Sequence, residues 1–164
     1  MTSEQRRTHT FLGIAQIGYA QWFFGNLYEW IVRVPNHLAA DGHLESVLSA
    51  GSPVLYYLPG LTIVIGATVA ALITGWKCRM ERWRFSVLAL SVSAGLIGTA
   101  YLVWAVNLKV FMVNHSVPSG ELDRLLALWY RANAMRLATT ACAWITAASI
   151  RSRLTSEPSR QTTK

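Results

Sequence analysis

The sequence predicts an all-α integral membrane protein, a bundle of four transmembrane helices with both termini in the cytoplasm. Three observations predict it. Of the 164 residues, 52% are hydrophobic and only 14% charged, against about 25% charged in an ordinary soluble domain. The apolar residues gather in four stretches of at least the ~20 residues needed to cross ~30 Å of hydrocarbon at ~1.5 Å per residue. Lys and Arg, finally, are divided unevenly among the segments that join those stretches.

The first span runs from about Phe11 to Val32, behind Arg6 and Arg7 and ahead of Pro35. A cleavable secretory signal also begins with basic residues, but its apolar core is only ~7–15 residues long and ends at a small-residue site. Here the run continues into Tyr28-Glu29-Trp30, so the segment reads as retained. The second span covers 53–76 and opens on Pro53, a residue suited to the first turn of a helix because its missing N–H is not needed there. Between them, 36–52 holds Asp41-Gly42 and Ala50-Gly51-Ser52 around a stretch that could form a short amphipathic helix. The third span covers 85–113. The fourth covers 119–150, with Glu121 and Asp123 in its first turn, where the helix dipole favours negative charge. Residues 1–154 therefore make one four-helix domain, and the polar segment 155–164 reads as a disordered tail. Small residues (Ser91, Ser93, Ala94, Gly95 and Gly98 in the third span, Ala138, Thr139 and Ala141 in the fourth) allow close helix approach.

Four spans put the N-terminus, the 77–84 turn and the C-terminal tail on one side. That side carries Arg6, Arg7, Lys77, Arg79, Arg82, Arg84, Arg151, Arg153, Arg160 and Lys164, and the other Arg33, Lys109 and Arg124. The richer side faces the cytoplasm of a cell membrane by the positive-inside rule. The net charge of +7 is thus explained by orientation, and no nucleic-acid partner is expected. Cys78 and Cys142 offer no C-x-x-C and no disulfide framework. No P-loop, GxSxG, HExxH or dinucleotide fingerprint is present.

The informative residues are the polar ones inside spans. Arg136 lies about 22 Å outward of Arg151 along the fourth span, below the outer edge of the hydrocarbon. An arginine there costs up to about 2.5–3.5 kcal/mol facing lipid, so it is expected to face the bundle interior with a partner. Asn133 and Arg131 stand slightly further out, and Arg131 can snorkel to the headgroups. Trp129, Asn133 and Arg136 share one helical face, as do Trp22, Asn26, Glu29 and Arg33 in the first span. Asn26 and Glu29 reach the height of Arg136. Tyr56, Tyr57, Tyr101, Trp104 and Asn107 stand at the outer ends of the second and third spans. Polarity is therefore sorted to the extracytoplasmic half of the bundle, the pattern of a site, since intramembrane ionisable residues line cavities or pair with one another. A Glu29–Arg136 structural ion pair with asparagine glue between helices is the competing account, and aromatic rings at an interface also form ordinary membrane belts. His37, His43 and His115 share the outer side with Glu29, but their spacing is no ligand pattern, and no metal is predicted. Asn114-His115-Ser116 is a glycosylation sequon on that side.

Asn26-Leu27-Tyr28-Glu29, Arg33-Val34-Pro35-Asn36, Tyr56-Tyr57-Leu58-Pro59, Asn107, and the spacing of Trp129, Arg131, Asn133 and Arg136 resemble the DUF1772 family, small four-span membrane proteins that include the anthrone oxygenases of aromatic polyketide biosynthesis. Lys109 stands near the place where many members carry a proline, which suggests a divergent branch. The resemblance implies an oxygenase-like enzyme acting on a lipophilic aromatic substrate with dioxygen as co-substrate and no organic cofactor. Glu29 would be the general base. Arg136, Asn133 and Asn107 would stabilise the developing enolate or phenolate, and Trp22, Asn26, Tyr57, Tyr101, Trp104, Trp129 and Arg131 would bind the substrate. A cyclase or isomerase using the same acid–base groups, an oxygenase holding copper or iron on the outer histidines, and a non-catalytic small-molecule-binding or structural membrane protein remain open, as does a homo-oligomer.

Overall fold

The computed structural model describes residues 1–35, 53–76, 82–110 and 118–156, and every described element is helical. Helix α1 (Ser3–Tyr28) continues without a break into a π-helical turn, Glu29–Arg33. Helix α2 is Pro53–Gly75. Helix α3 (Arg82–Leu102) likewise runs into a π-helical turn, Val103–Asn107, and ends in a short α-helical turn, Leu108–Val110. Helix α4 is Ser119–Ser156.

The helices overrun the apolar stretches that announce them. Helix α1 starts at Ser3 rather than near Phe11 because Thr2 caps it: its hydroxyl accepts from the Gln5 amide at 3.2 Å, and the Gln5 side chain accepts from the Thr2 amide at 2.7 Å. This reciprocal box satisfies two of the amides that a helix start leaves without partners. Helix α4 runs to Ser156, past the expected end near Ile150 and into the expected tail. Hydropathy marks where a helix meets apolar surroundings, whereas its end is set by local hydrogen bonding.

Two helical stretches, Tyr57–Gly75 and Arg82–Asn107, are long and apolar enough to cross a membrane. Helices α1 and α4 are longer than α2. Gln16, Gln21 and Asn26 in α1, and Asn133 and Arg136 in α4, lower their hydropathy.

Helix α1 packs along α2 on one side and α4 on the other, α3 packs along α4, and α2 and α3 touch only slightly. The α1–α2 contact needs Gly18, since a Cβ there would fall 2.0 Å from Cγ2 of the buried Val64. Hydroxyl pairs pin the same two helices: Tyr19 with Thr68 at 2.5 Å, fully inside, and Thr8 donating to Thr74 at 2.8 Å.

The apolar interior is in two parts. The larger is built from Leu12, Ala15, Tyr19 and Trp22 of α1 with Val64, Ala71, Phe85, Leu88, Ala143 and Ile150. The smaller holds Val34, Leu102, Ala105, Val106, Leu125, Trp129 and Ala132. What separates them is polar.

Candidate functional site

Between the two apolar clusters lies a layer made by Asn26 and Glu29 from the end of α1, Tyr57 from α2, and Asn133 and Arg136 from α4. Asn26 and Asn133 are fully buried, and Arg136 is 5% exposed. These positions follow from helix periodicity: Trp22 and Asn26 are one turn apart on the buried face of α1, and Asn133, Arg136 and Thr140 share the buried face of α4.

The α1 end of the layer is shaped by the π-helical turn. Where the α-ladder gives way, the Glu29 amide is shared between the carbonyls of Gly25 and Asn26. The Asn26 carbonyl also accepts from Nδ2 of Asn133 at 3.1 Å, a bond across to α4. Oδ1 of Asn133 accepts from Nη1 of Arg136 at 3.3 Å. Asn133 thus holds the backbone of α1 with one end of its amide and the guanidinium with the other. Both hydroxyls of Thr139 and Thr140 donate to the Arg136 carbonyl, at 3.0 and 2.7 Å.

Glu29 and Arg136 act on each other electrostatically, and Tyr57 also acts on Arg136. They do not close an ion pair: the Glu29 carboxylate instead has Arg33 at 3.9 Å, one turn along. Tyr57 lies over Gly25, where a Cβ would come within 2.7 Å of its hydroxyl oxygen. Several polar atoms of the layer are sealed from solvent and carry no hydrogen bond: Nδ2 and Oδ1 of Asn26 and Nε of Arg136. Oδ1 of Asn107, in the π-helical turn after α3, is in the same condition. Buried polar groups are nearly always bonded, so these atoms depart from the usual pattern; Nε of Arg151, at the opposite end of the bundle, is another such atom.

The sequence-expected set divides. Trp22, Asn26, Glu29, Tyr57, Asn133 and Arg136 come together, with Asn107 half-buried at the outer end of α3. Trp104, Tyr101 and Arg131 are exposed, Trp104 at 69%. Trp104 and Asn107 would share a face in an α-helix, but the wide i→i+5 turn they occupy rotates less per residue and leaves a residue three along short of that face. Trp129 is buried in the smaller apolar cluster and set edge-on to Tyr130 at 5.2 Å. Sequence reading missed the two π-helical turns, and it missed Tyr19 and Thr68, whose only signal was a hydroxyl-bearing residue deep in each of two neighbouring spans. Among the described residues no group of three His, Cys, Asp or Glu could hold a metal; His37, His43, His115, Tyr56's side chain and Cys78 lie outside the described part.

Among the described residues these observations define an all-helical protein with two helices long and apolar enough to cross a membrane and buried polar residues between apolar clusters. Comparison with protein-family models, curated proteins and solved structures finds no match.

Proposed function

We propose that the chain crosses the cell membrane four times, termini in the cytoplasm, and that the Glu29–Asn26–Arg136 layer is the active site of an oxygenase-like enzyme for a lipophilic, aromatic substrate, as the DUF1772 resemblance implies. The four-span reading is supported by what the bundle shows to its surroundings. Every exposed residue between Phe11 and Tyr28 (Ile14, Ile17, Phe24, Tyr28) and between Ala132 and Ile150 (Met135, Ala138, Cys142, Ile145, Ala148) is uncharged. The charge that lowers the hydropathy of α4, Arg136, is turned inward.

The observation that carries the catalytic reading is the set of unspent polar atoms beside a carboxylate and a guanidinium that do not quench each other. Glu29 takes a proton from an activated methylene. Arg136, held by Asn133, and the free Asn26 amide stabilise the oxygen on which charge develops, in surroundings where a fixed donor is worth more than in water. The electron-rich anion then reacts with dioxygen, so that CH2 becomes C=O and the second oxygen atom leaves as water. A cyclase or isomerase would use the same base and cation without consuming dioxygen, and an oxygen electrode separates the two.

The Asn133–Asn26 bond favours one second reading, that the layer is interhelical glue without chemistry. Glu29→Gln and Arg136→Met decide between them. Both variants are expected to remain folded and extractable while oxygen uptake with a phenolic polycycle falls to background. Retained uptake sinks the catalytic reading. So does collapse of both single variants followed by recovery in the swapped pair Glu29→Arg/Arg136→Glu, which instead marks a structural ion pair.

A further inference from the structure

The seam between α1 and α4 changes character along its length. On α1 the residues His9, Gly13, Gln16, Ala20 and Phe23 follow one another at four- and three-residue steps and so share one helical stripe. On α4, Trp144, Ala148 and Arg151 do the same. Contacts at two levels set the stripes against each other. Arg151 lies across Gly13, where a Cβ would stand 3.3 Å from the guanidinium carbon, and its Nη1 donates to Oε1 of Gln16 at 2.5 Å. About 10 Å further along α1, the Trp144 ring sits 6.4 Å from that of Phe23 and 6.2 Å from that of Phe24. Between these levels the stripes carry only Ala20, half-buried, and Ala148, exposed. The surface there is low and apolar, with a guanidinium at one end and an aromatic wall at the other.

The guanidinium is short of a counter-charge. Arg151 is half-buried, its Nε is sealed from solvent without a hydrogen bond, and its partner Gln16 is neutral. Among the described residues no carboxylate pairs with it. Glu4, the one described acid at that end, lies one turn before Thr8 on a face that turns to Thr74 of α2. The groups nearest the stripe add to the positive side: His9 is close enough to feel the charge of Arg151, and Arg6, one turn before His9, is exposed. A cation held partly out of water without a counter-ion is costly, and an anion that reaches it removes that cost. Phosphate is the anion whose oxygens best match the planar fork of an arginine.

We infer that the α1–α4 seam holds one anionic phospholipid, with its phosphate on Arg151 and an acyl chain laid over Ala20 and Ala148 toward Phe24 and Trp144. A zwitterionic headgroup brings an ammonium group as well, and no described carboxylate beside Arg151 receives it, so a headgroup of net negative charge fits. The inference rests on the proposed crossings, which set Arg151 at the cytoplasmic surface and Ala20, Ala148 and Trp144 within the bilayer. It is independent of the chemistry proposed for Glu29 and Arg136. The cytoplasmic leaflet, where anionic lipids attract basic segments, supplies the ligand.

The test is native mass spectrometry of the full-length protein released from detergent micelles, titrated with palmitoyl-oleoyl phosphatidylglycerol or with the phosphatidylcholine of the same chains. One phosphatidylglycerol is expected to bind ahead of any further adduct, and phosphatidylcholine to bind more weakly. Arg151→Met, which keeps the apolar stem over Gly13, should weaken that first binding about tenfold, as loss of a hydrogen bond between charged groups does. Arg153→Met removes the same charge from an exposed position two residues on and should change it little. Equal losses in the two variants would reduce the effect to the general charge of that end and overturn the inference. Should Arg151→Met fail to fold, Ala148→Trp decides: it fills the seam from an exposed position and should also weaken phosphatidylglycerol binding, and binding unchanged by it overturns the inference. Glycerol 3-phosphate in large excess should not displace the lipid; displacement would mark a site for free phosphate instead. Micelles have no inside or outside, so these outcomes do not depend on orientation. A reversed topology in intact cells would leave the lipid site standing and move it to the opposite leaflet.

Discussion

Nδ2 of Asn133 donates to the main-chain carbonyl of Asn26 at 3.1 Å, and both residues are fully buried. The same side chain that ties α4 to α1 also receives Nη1 of Arg136, so one amide fixes both the distance between two helices and the direction of the arginine.

Asn26 and Asn133 are chemically alike and structurally opposite, which gives the first prediction. Replacing Asn133 by Leu removes two hydrogen bonds and leaves a buried carbonyl and a guanidinium short of partners. Interhelical hydrogen bonds in membranes are worth on average about 0.6 kcal/mol, and the stranded arginine adds to that, so a loss of about 1–3 kcal/mol is expected. Replacing Asn26 by Leu removes an amide that is bonded to nothing, and the carbonyl that Asn133 uses stays in place. That variant should be as stable as the parent or more so. Unfolding of both in mixed micelles by SDS titration checks the contrast; equal losses at the two positions would contradict this account.

Gly18 supplies the second. Its Cβ position lies 2.0 Å from Cγ2 of Val64, too close for any adjustment short of moving the helices apart. Gly18→Ala should cost about 1–3 kcal/mol, the range for overpacking a close-packed interior. Val64→Ala alone opens a small cavity and also destabilises. The double variant should be more stable than the sum of the two losses, because the new methyl takes the space the valine vacates. Additive losses would mean that α1 and α2 are held apart by something else.

The long apolar stretches of α2 and α3 could be read from composition alone, and the inward turn of Arg136 from its depth in α4. Asn26 and Asn133 could be placed near it by counting turns. The direct neighbour of Glu29 could not: the charge it sits closest to is Arg33 on its own helix, and a face count treats both arginines alike. The π-helical turns were illegible for a related reason. Hydrophobic spacing is counted at 3.6 residues per turn, and one wide turn shifts every later residue to a different face. That shift leaves Trp104 exposed and the Asn107 carbonyl oxygen buried. Trp129 shares its α4 face with Arg136 by residue count, and the structure packs it in the smaller cluster with Leu102 and Val106.

The proposed topology predicts an accessibility pattern. With Cys78→Ser and Cys142→Ala as background, Ser3→Cys and Asp123→Cys place thiols at two exposed positions separated by three proposed crossings. A membrane-impermeant maleimide applied to intact spheroplasts should label residue 123 and reach residue 3 only after permeabilisation. Labelling of residue 3 in intact cells reverses the orientation, and identical behaviour of the two positions rules out an odd number of crossings between them.

At the other end of the bundle, Arg151 bends inward across Gly13 and donates to the Gln16 side chain at 2.5 Å. His9, in α1 ahead of the proposed first span, feels it. Partial burial holds the imidazole pKa below its usual 6.5, and the positive charge of Arg151 lowers it further. A histidine whose folded pKa is depressed contributes stability above its unfolded pKa, and that contribution is lost as the pH falls through the folded value. The protein should therefore weaken on acidification below about pH 6.5, and His9→Gln should remove that part of the decline. His9 is only partly buried, near the end of the bundle, so solvent screening keeps the effect small. The sharper measurement is an NMR titration of the ring carbon, assigned by the His9→Gln variant. The midpoint should lie below 6.5 and move up, though not all the way, in Arg151→Gln, because the desolvation remains when the charge is gone. A midpoint at or above 6.5 in the parent would mean that the two side chains do not meet in solution.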